Sequence, residues 1–366
     1  MVAGAAVLAG FNQAHAQGDG PIVLGQSAPF TGPAAQLGIQ FYEGAKLYLD
    51  QWNTQSGHRE VTIKFLDDGY EPDRCAANTK KLIDDDVFAL FGYIGTPTSL
   101  AALPQAVNAK VPFIAPFTGA MALREPFHKN VFHLRASYND ETALIVRQLT
   151  NLGLKKIAVF YQNDSYGQAG LDGVTLALAQ QNLKPTALAT VERNSVDVAS
   201  AVKTIVAAQP DAVVQVSAYK SCAAFIRSAR KAGYGGTFFN VSFVGTKALA
   251  DELGKEGAGV VVTQVVPSPY NTANTITRDF NDAARKMGSS TSANFSSLEG
   301  FLAARVLVEG LKRTQGKESR DGLIAALETI DRQQFGGFEV SFSPRNHVAS
   351  KFVELSEISA DGRIRT

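Results

Sequence analysis

The stretch VFALFGYIGTPTS, residues 87–99, changes character at Gly95. Its first part is a continuous apolar run of the kind that forms a strand buried on both faces of a parallel sheet. The run opens onto the loop TPTS (96–99), directly before the helix-like segment LAALPQAV. A strand-to-helix connection needs one turn residue and one helix cap. The additional hydroxyl groups therefore indicate a further role for this loop.

The same order of apolar strand, polar loop and helix recurs along the chain, as in IVLGQSAPF (22–30) and VTIKFLDD (61–68). Alternating strands and helices are typical of α/β proteins with parallel sheets and crossover helices. We therefore predict an α/β fold.

An internal repeat divides the chain into two halves. VTIKFLDD at 61 corresponds to TALATVER at 186, VFALFGYIGT at 87 to AVVQVSAYKS at 212, and VPFIAPFTGA at 112 to TFFNVSFVGT at 237, each 125 positions later. The first strand and loop of each half, at 22 and at 157, match at an offset of 135. A repeat of this kind predicts two similar Rossmann-like lobes with a cleft between them.

Ligands of open parallel sheets bind beyond the carboxyl ends of the strands. Here those ends read SAPFTG, GYIGTPTS, APFTGA, QNDSYG, SAYKS and NVSFVG. All six are rich in Ser, Thr, Tyr, Asn, Gly and Pro. The surplus hydroxyls of loop 96–99 are thus predicted to belong to a small-molecule site shared by the two lobes.

The overall composition argues against a nucleic-acid partner. The chain has 366 residues, of which 45% are hydrophobic and 19% charged, and its formal net charge is +1. No cluster of Lys and Arg along one face is evident, whereas nucleic-acid-binding proteins carry such basic patches.

The N-terminal stretch MVAGAAVLAGFNQAHAQGDG has the features of an export leader. A short alanine-rich apolar run ends in Ala14-His15-Ala16, the small-x-small pattern of a signal-peptidase site. The run is too short to span a bilayer. We expect an exported protein whose mature chain begins near Gln17, after a remnant leader and linker over 1–20; the alternative is a disordered tail.

Cysteines and histidines give no sign of a metal or cofactor. Cys75 and Cys222 each fall in a helix-like segment and are more typical of small core residues than of a disulfide, although one disulfide stays open. These two cysteines and the five histidines show no metal-ligand spacing. We predict no metal and no cofactor.

In the first half, the hydroxyls of Thr96, Thr98 and Ser99 are the leading candidates for ligand contacts. They precede a predicted helix, where free N–H groups and the positive end of the helix dipole favour a carboxylate. The alternative is simple helix capping. Thr118 in the neighbouring PFTGA loop strengthens the binding interpretation.

In the second half, Tyr166 and Tyr219 project from loops, where they could pack on a ligand and offer a hydroxyl. Ser242 and Phe243 are expected at the end of the strand TFFNVSF, facing the cleft. The alternatives are half-buried edge tyrosines and a core phenylalanine. Arg135 could meet a carboxylate, but a salt bridge that stabilises a hinge is the favoured interpretation.

Enzyme signatures are missing from the sequence. It contains neither a G-x-S-x-G elbow nor a G-x-x-x-x-G-K-[ST] phosphate loop. GYGGTF at 233 lacks the third glycine of a dinucleotide fingerprint, since Phe238 stands in its place. We predict a binding protein and no enzyme.

Several stretches together resemble the periplasmic solute-binding proteins of the branched-chain amino acid type, which serve ABC importers. They are IVLGQSAPFTGPAAQLGIQFYEGAKLYLDQWN, the GTPTS and PFTGA loops, NDSYGQAGLDGV and FIRSARKAGYGGTFFNVSFVG. The resemblance extends from about Pro21 to Arg363. It implies the type I binding-protein fold, with two lobes joined by a three-segment hinge. The implied lobes are 21–137 plus 270–344 and 138–269 plus 345–366.

The resemblance also implies ligand contacts at specific residues. The loop with Thr96 would hold a ligand carboxylate, assisted by the loop with Thr118, and Tyr166 and Tyr219 would close over the ligand. Gln36 and Leu37 would line the side-chain pocket. The full set of predicted site residues is Gln36, Leu37, Gly95, Thr96, Pro97, Thr98, Phe117, Thr118, Gly119, Tyr166, Tyr219, Ser242 and Phe243.

One position departs from the amino-acid binders of that family. Where they carry an acidic residue for the ligand ammonium, this chain has Ser242. A buried ammonium without a counter-charge is costly, so a carboxylate without an ammonium is the expected ligand. Asp164 or Glu299 is the alternative source of the missing charge. Gly95 also stands where some members have a cysteine.

The expected function is capture of a small aromatic or aliphatic organic acid in the cleft of a periplasmic monomer. The expected partner is the membrane permease of an ABC importer. The alternatives are binding of a branched-chain or other amino acid, or a sensor that feeds a membrane receptor. An enzyme that uses the cleft is a weaker alternative, and a DNA-binding regulator is set aside because a leader stands where its helix-turn-helix is needed.

Overall fold

The computed structural model describes residues 20–366 of the chain. The predicted leader and its cleavage site lie outside these residues. Within them, no helix combines the length and the apolar composition that a membrane crossing requires.

The first sheet has five strands in the order β2-β1-β3-β4-β5, all of them parallel. Its strands are β1 (Ile22–Ala28), β2 (Val61–Asp67), β3 (Ala89–Phe91), β4 (Phe113–Ile114) and β5 (Val131–Phe132). The apolar stretch that precedes Gly95 contributes β3, which lies at the centre of the sheet and is buried on both faces.

The second sheet has seven strands in the order β14-β13-β10-β9-β8-β6-β7. Its parallel part consists of β6 (Ile157–Gln162), β7 (Leu188–Val191), β8 (Ala212–Val216), β9 (Thr237–Asn240) and β10 (Val260–Gln264). A separate hairpin is formed by β11 (Gln333–Phe335) and β12 (Phe338–Val340). The last strands, β13 (Glu354–Ile358) and β14 (Ile364–Arg365), join the second sheet antiparallel.

The strand order confirms the internal repeat. The first five strands are arranged as β2-β1-β3-β4-β5, and the next five as β7-β6-β8-β9-β10. Each strand of the first half therefore has a counterpart at the same place in the second sheet. The alternation of parallel strands and helices confirms the predicted α/β class.

Eleven helices connect and cover the sheets of the described residues. They are α1 (Ala35–Asn53), α2 (Pro72–Asp84), α3 (Thr96–Asn108), α4 (Tyr138–Asn151), α5 (Ser165–Ala179), α6 (Ala199–Ala207), α7 (Tyr219–Lys231), α8 (Thr246–Leu253), α9 (Thr275–Lys286), α10 (Phe295–Arg313) and α11 (Arg320–Leu327). Cys75 in α2 and Cys222 in α7 are buried and are not joined in a disulfide, as expected for core residues.

Helices α1 and α10 pack backbone to backbone. A Cβ placed on Gly44 would lie 1.8 Å from the carbonyl oxygen of Ser297, and one on Gly300 would lie 2.0 Å from that of Phe41. Only glycine permits this approach. The contact fixes α10, and with it Glu299, against the first half of the chain.

Within residues 20–366, three connections run between the region around the first sheet, which includes α10, and the second sheet: after β5, after β10 and after β12. Two of these passages lie side by side, because the His133 N–H donates to the His347 carbonyl and the Ala349 N–H donates to the His133 carbonyl, both at 2.8 Å. The boundaries 21–137 plus 270–344 and 138–269 plus 345–366 remain a prediction, as does hinge motion at these passages.

Candidate ligand-binding site

The loops that follow β3 and β4 place two threonine hydroxyls in direct contact. Thr96 Oγ1 and Thr118 Oγ1 are 2.7 Å apart, and both residues are fully buried. Thr96 is the first residue of α3, and Gly95 before it has φ 99°, a conformation that favours glycine. The pair therefore lies at the N-terminus of α3, where unpaired N–H groups and the helix dipole favour an anion.

Not every hydroxyl of loop 96–99 is available to a ligand. Thr98 Oγ1 donates to the carbonyls of Ile94 and Gly95 within its own turn. Ser99 Oγ is buried and has no hydrogen-bond partner within residues 20–366. Of the three hydroxyls in this loop, that of Thr96 is therefore the one that contacts a residue at another strand end, Thr118.

Tyr138, the first residue of α4, adds a phenol beside these threonines. Its side chain is fully buried, and its hydroxyl makes no well-formed hydrogen bond within the described chain. Burial raises the pKa of Tyr138 to about 12, although Arg135 and the nearby Thr118 hydroxyl act to lower it. The phenol stays protonated at neutral pH and can donate to an acceptor on a ligand.

Aromatic rings from both halves meet around this place. The Tyr166 ring lies 4.5 Å from that of Phe243 and 5.5 Å from that of Tyr138, measured between centroids. Phe243 is also 5.8 Å from Phe117 and 5.8 Å from Tyr70. All five rings are buried. We call these five residues the aromatic wall.

Arg135 is the most deeply buried cation of the site, with a relative exposure of 1%. Its Nε and Nη2 donate to the two carboxylate oxygens of Glu299 at 2.8 and 2.6 Å, and its Nη1 donates to Ser242 Oγ at 3.1 Å. The guanidinium lies over the Phe117 ring, 3.8 Å from its centroid. Burial alone would lower the pKa of Arg135, and the Glu299 carboxylate more than offsets this, so the pKa is raised.

A second buried carboxylate, Glu141 on α4, binds Ser242 from the other side. The Ser242 N–H donates to Glu141 at 2.7 Å and the Ser242 hydroxyl donates at 3.0 Å. Thr263 Oγ1 donates to the same carboxylate. Burial raises the pKa of Glu141, while Arg135 and these hydrogen bonds act to lower it.

The charged side chains around Ser242 therefore already have hydrogen-bond partners in the protein. Glu299 is bound by Arg135, and Glu141 by Ser242 and Thr263. Asp164 caps α5 through the N–H groups of Tyr166 and Gly167, and Arg193 contacts it at 3.1 Å. The cation nearest to Ser242 is the guanidinium of Arg135, whose charge is offset by its bidentate contact with Glu299.

The structure brings most of the sequence-predicted residues to the same buried region. Gly95, Thr96, Pro97, Phe117, Thr118 and Gly119 come from the first half, and Tyr166, Ser242 and Phe243 from the second; all are buried. The assignment of these residues as ligand contacts remains a prediction.

At the edge of this region, Leu37 and Tyr219 reach across between the halves. A Cβ placed on Gly245 would lie 2.4 Å from Leu37 Cδ2. Burial raises the pKa of Tyr219, while the Gln36 backbone acts to lower it. The Gln36 side chain is exposed and accepts a hydrogen bond from Gln40.

The strand predicted to run through Ser242 and Phe243 ends earlier than expected, at Asn240. Residues Ser242–Val244 form a 3-10 turn that leads into Gly245, whose φ is 78°. The Ser242 N–H donates to Glu141 and does not extend the sheet. The expectation of a strand here was wrong because this side-chain acceptor replaces the neighbouring strand.

Sequence reasoning missed Tyr70, Tyr138 and Glu141. Tyr70 follows the edge strand β2, and the end of that strand is not among the six polar strand ends identified in the sequence. Tyr138 and Glu141 lie in the first turns of α4, directly after a passage between the sheets. In the sequence, the capping motif of Ser137 and Asp140 marks the start of α4. This motif is the feature from which the position of Tyr138 and Glu141 at a helix start could have been predicted.

Comparisons with known proteins agree with this architecture. A family model described as "Periplasmic binding protein" matches residues 21–363. A solved structure of a possible leucine/isoleucine/valine-binding protein from Rhodopirellula baltica SH 1 has 37% identity and a TM-score of 0.89, covering 94% of this chain and 95% of that one.

Two further proteins extend the comparison. A substrate-binding periplasmic protein from Ralstonia solanacearum has 28% identity and a TM-score of 0.89, covering 94% of this chain and 99% of that one. The Leu/Ile/Val-binding protein homolog 7 of Brucella suis biovar 1 is 26% identical over 345 residues, which are 89% of this chain and 84% of that protein.

Proposed function

The chain belongs to the periplasmic binding protein family, and on that premise we propose that it captures a small carboxylate that has no ammonium group. Members of this family are extracytoplasmic solute-binding proteins that serve ABC permeases. The proposed ligand is an aromatic or aliphatic organic acid, bound between the two halves and delivered to such a permease, with no chemical change.

The observation that carries the proposal is that both carboxylates near Ser242, those of Glu141 and Glu299, already accept hydrogen bonds from protein groups. A zwitterionic amino acid needs two things from its site: hydrogen-bond donors for its carboxylate and a free carboxylate for its ammonium. The Thr96–Thr118 pair at the start of α3 supplies the first. An ammonium would have to share Glu299 with the Arg135 guanidinium, or share Glu141 with the donors of Ser242 and Thr263.

The aromatic wall supports an apolar ligand body. Its five rings offer large contact area and can enclose a planar or branched hydrocarbon group. We propose that the ligand binds first to the half that carries Thr96 and that Tyr166 and Phe243 complete the site on closure. Contacts made only in the closed form would then shift the population towards it.

Binding of a branched-chain amino acid is the second candidate, because relatives of this chain carry names such as Leu/Ile/Val-binding protein homolog 7. The two candidates differ only in the ammonium. Matched ligand pairs therefore separate them: L-leucine with 4-methylpentanoate, and L-phenylalanine with 3-phenylpropanoate. Each pair shares its carbon skeleton and its carboxylate.

The experiment is calorimetric titration of protein freed of bound ligand by unfolding and refolding. We expect the acid of at least one pair to bind with a Kd of about 1 μM, near −8 kcal/mol, and its amino acid to bind at least about tenfold more weakly, since an unpaired buried charge costs more than 1.4 kcal/mol. Tighter binding of the amino acid in both pairs would overturn the proposed ligand class.

A further inference from the structure

Two turns at equivalent places of the repeat contact each other. Turn 68–71 follows β2 and turn 192–194 follows β7, the matching edge strands of the two sheets. Arg193 Nη2 donates to Glu71 at 3.0 Å. Asn194 Nδ2 donates to the Gly69 carbonyl at 3.0 Å and to Glu71 at 2.7 Å. We call this contact the turn pair.

Tyr70 stands in the middle of turn 68–71 and points into the site. Its side chain is fully buried, and its φ of 65° is a conformation that residues other than glycine rarely adopt. The Asp68 side chain holds this conformation by accepting from the Tyr70 N–H at 2.8 Å. Left-handed backbone at a bulky residue persists only where the surroundings enforce it, and it concentrates at functional sites.

The Tyr70 ring lies directly against the start of α3. A Cβ placed on Gly95 would come within 2.2 Å of Tyr70 Cε2. The ring thus covers the residue that precedes Thr96, next to the Thr96–Thr118 pair that is proposed to bind the ligand carboxylate. We call this pair the Thr96 seat. Its other neighbours come from the second half: the Phe243 ring at 5.8 Å, and Gln162 Nε2, which donates to the Tyr70 hydroxyl at 3.3 Å.

We infer that Tyr70 is a further ligand-contacting residue, and that the turn pair brings it over the Thr96 seat when the two halves close. Both backbone neighbours of Tyr70, Gly69 and Glu71, are bound by the second half. The ring therefore depends on the same contacts that hold the halves together. The ligand-contact part of this inference rests on the proposed function, because it takes the Thr96 seat as occupied by the ligand.

The turn pair also makes closure partly independent of ligand. Its bonds join protein groups only, so they favour the closed form whether or not a ligand is bound. Loss of the Glu71 charge should open the unliganded protein. Glu192 offers a matched control, since it lies in the turn next to Arg193 but bonds to Asn163 of its own half at 2.7 Å.

The first measurement is the distance between spin labels on exposed Lys80→Cys and Lys203→Cys, on α2 and α6, read by pulsed electron paramagnetic resonance. Without ligand, Glu71→Gln should lengthen the distance distribution relative to the parent protein, and Glu192→Gln should leave it unchanged. If Glu71→Gln and Glu192→Gln give the same distribution, the turn pair has no role in closure.

The second measurement titrates Tyr70→Leu and Tyr70→Phe with whichever member of the matched pairs the wild-type protein binds. Loss of the ring should weaken binding about tenfold, and Tyr70→Phe, which keeps the ring, should recover most of it. Binding of Tyr70→Leu within about twofold of wild type would overturn the Tyr70 assignment, since that change is below ~0.5 kcal/mol.

The two proposals fail in different ways. If only amino acids bind, the carboxylate proposal is overturned, and the Tyr70 variants are still measured with the amino acid that binds. If the acids bind and Tyr70→Leu is neutral, the Tyr70 inference alone is overturned. If the wild-type protein binds no member of the pairs, both are overturned.

Discussion

Removing the Glu299 charge should leave the Arg135 guanidinium buried without its main counter-ion. The side chains of Arg135 and Glu299 are only 1% and 4% exposed, and their contact is bidentate. Loss of one partner of such a pair typically costs 3–5 kcal/mol. We expect Glu299→Gln to lower the free energy of unfolding by about 3 kcal/mol, the lower end of that range. The reason is that Glu141 is a second carboxylate close enough to raise the pKa of Arg135.

The assay is urea unfolding at pH 7, followed by circular dichroism, with the free energy of unfolding taken from each transition. Asp279→Asn is the matched control, because the Arg305–Asp279 pair is 28% and 37% exposed and its loss should cost below about 1 kcal/mol. The double change Arg135→Met with Glu299→Leu should recover part of the loss, since it removes the guanidinium together with its partner and leaves Glu141 bound to Ser242 and Thr263. A Glu299→Gln protein as stable as Asp279→Asn would refute this account of the charge network.

Three further predictions address the seat, one titrating group and the helix packing. Thr96→Val should weaken carboxylate binding about tenfold in calorimetry, as hydrogen bonds to charged groups contribute ~1.5–3 kcal/mol. Thr79→Val should not, because it removes a buried hydroxyl of α2 that bonds to the Cys75 carbonyl and the Tyr93 hydroxyl. Equal affinities of the two variants would contradict the role of Thr96 in holding the carboxylate. Burial raises the pKa of Asp68 from 3.8 to about 6, so its stabilising contribution is complete below pH 3.8 and is lost as the pH rises through about 6. In the wild-type protein the free energy of unfolding should therefore fall by on the order of 3 kcal/mol between these pH values, and Asp68→Asn should abolish this fall. An unchanged pH dependence in the variant would show that Asp68 is not the titrating group. Gly300→Ala should destabilise the protein by about 1–3 kcal/mol, because the new Cβ meets the Phe41 carbonyl. Gly235→Ala is the control: nothing lies within 4 Å of its Cβ, so its stability should stay within ~0.5 kcal/mol of wild type. Thermal or urea unfolding that shows the two variants to be equally stable would contradict the close packing of α1 and α10.

The fold could be predicted because its evidence is local and repeated. Apolar runs of strand length followed by polar loops identified the parallel strands, and the offset of 125 positions paired the two halves. The same local reasoning found Thr96 and Thr118, which the structure places 2.7 Å apart. Each of them directly follows a strand, and neighbouring parallel strands bring their ends together.

The charge network could not be predicted because it depends on contacts far apart in the chain. Glu299 reaches Arg135 across 164 positions, and Glu141 reaches Ser242 across 101. The sequence showed that Ser242 lacks a carboxylate, but not that two carboxylates and a guanidinium from other elements surround it. Arg135 does form a salt bridge, with Glu299, whereas its stabilisation of a hinge stays a prediction; Glu299 was named as a source of charge without its partner being identified.

Tyr70 was missed for a similar reason. Nothing near it in sequence distinguishes it from an ordinary loop tyrosine. Its position depends on Gly95 beneath the ring and on Gln162 and Phe243 from the other half. The place of Tyr70 between the two halves is therefore recognised only from the folded structure.

The most direct test of the central claim is a crystal structure grown with equal, saturating amounts of 3-phenylpropanoate and L-phenylalanine. We expect the acid in the site, with its carboxylate on Thr96 and Thr118, its ring against the aromatic wall, and Arg135 still paired with Glu299. The amino acid in the site, with its ammonium on Glu141 or Glu299, would contradict it.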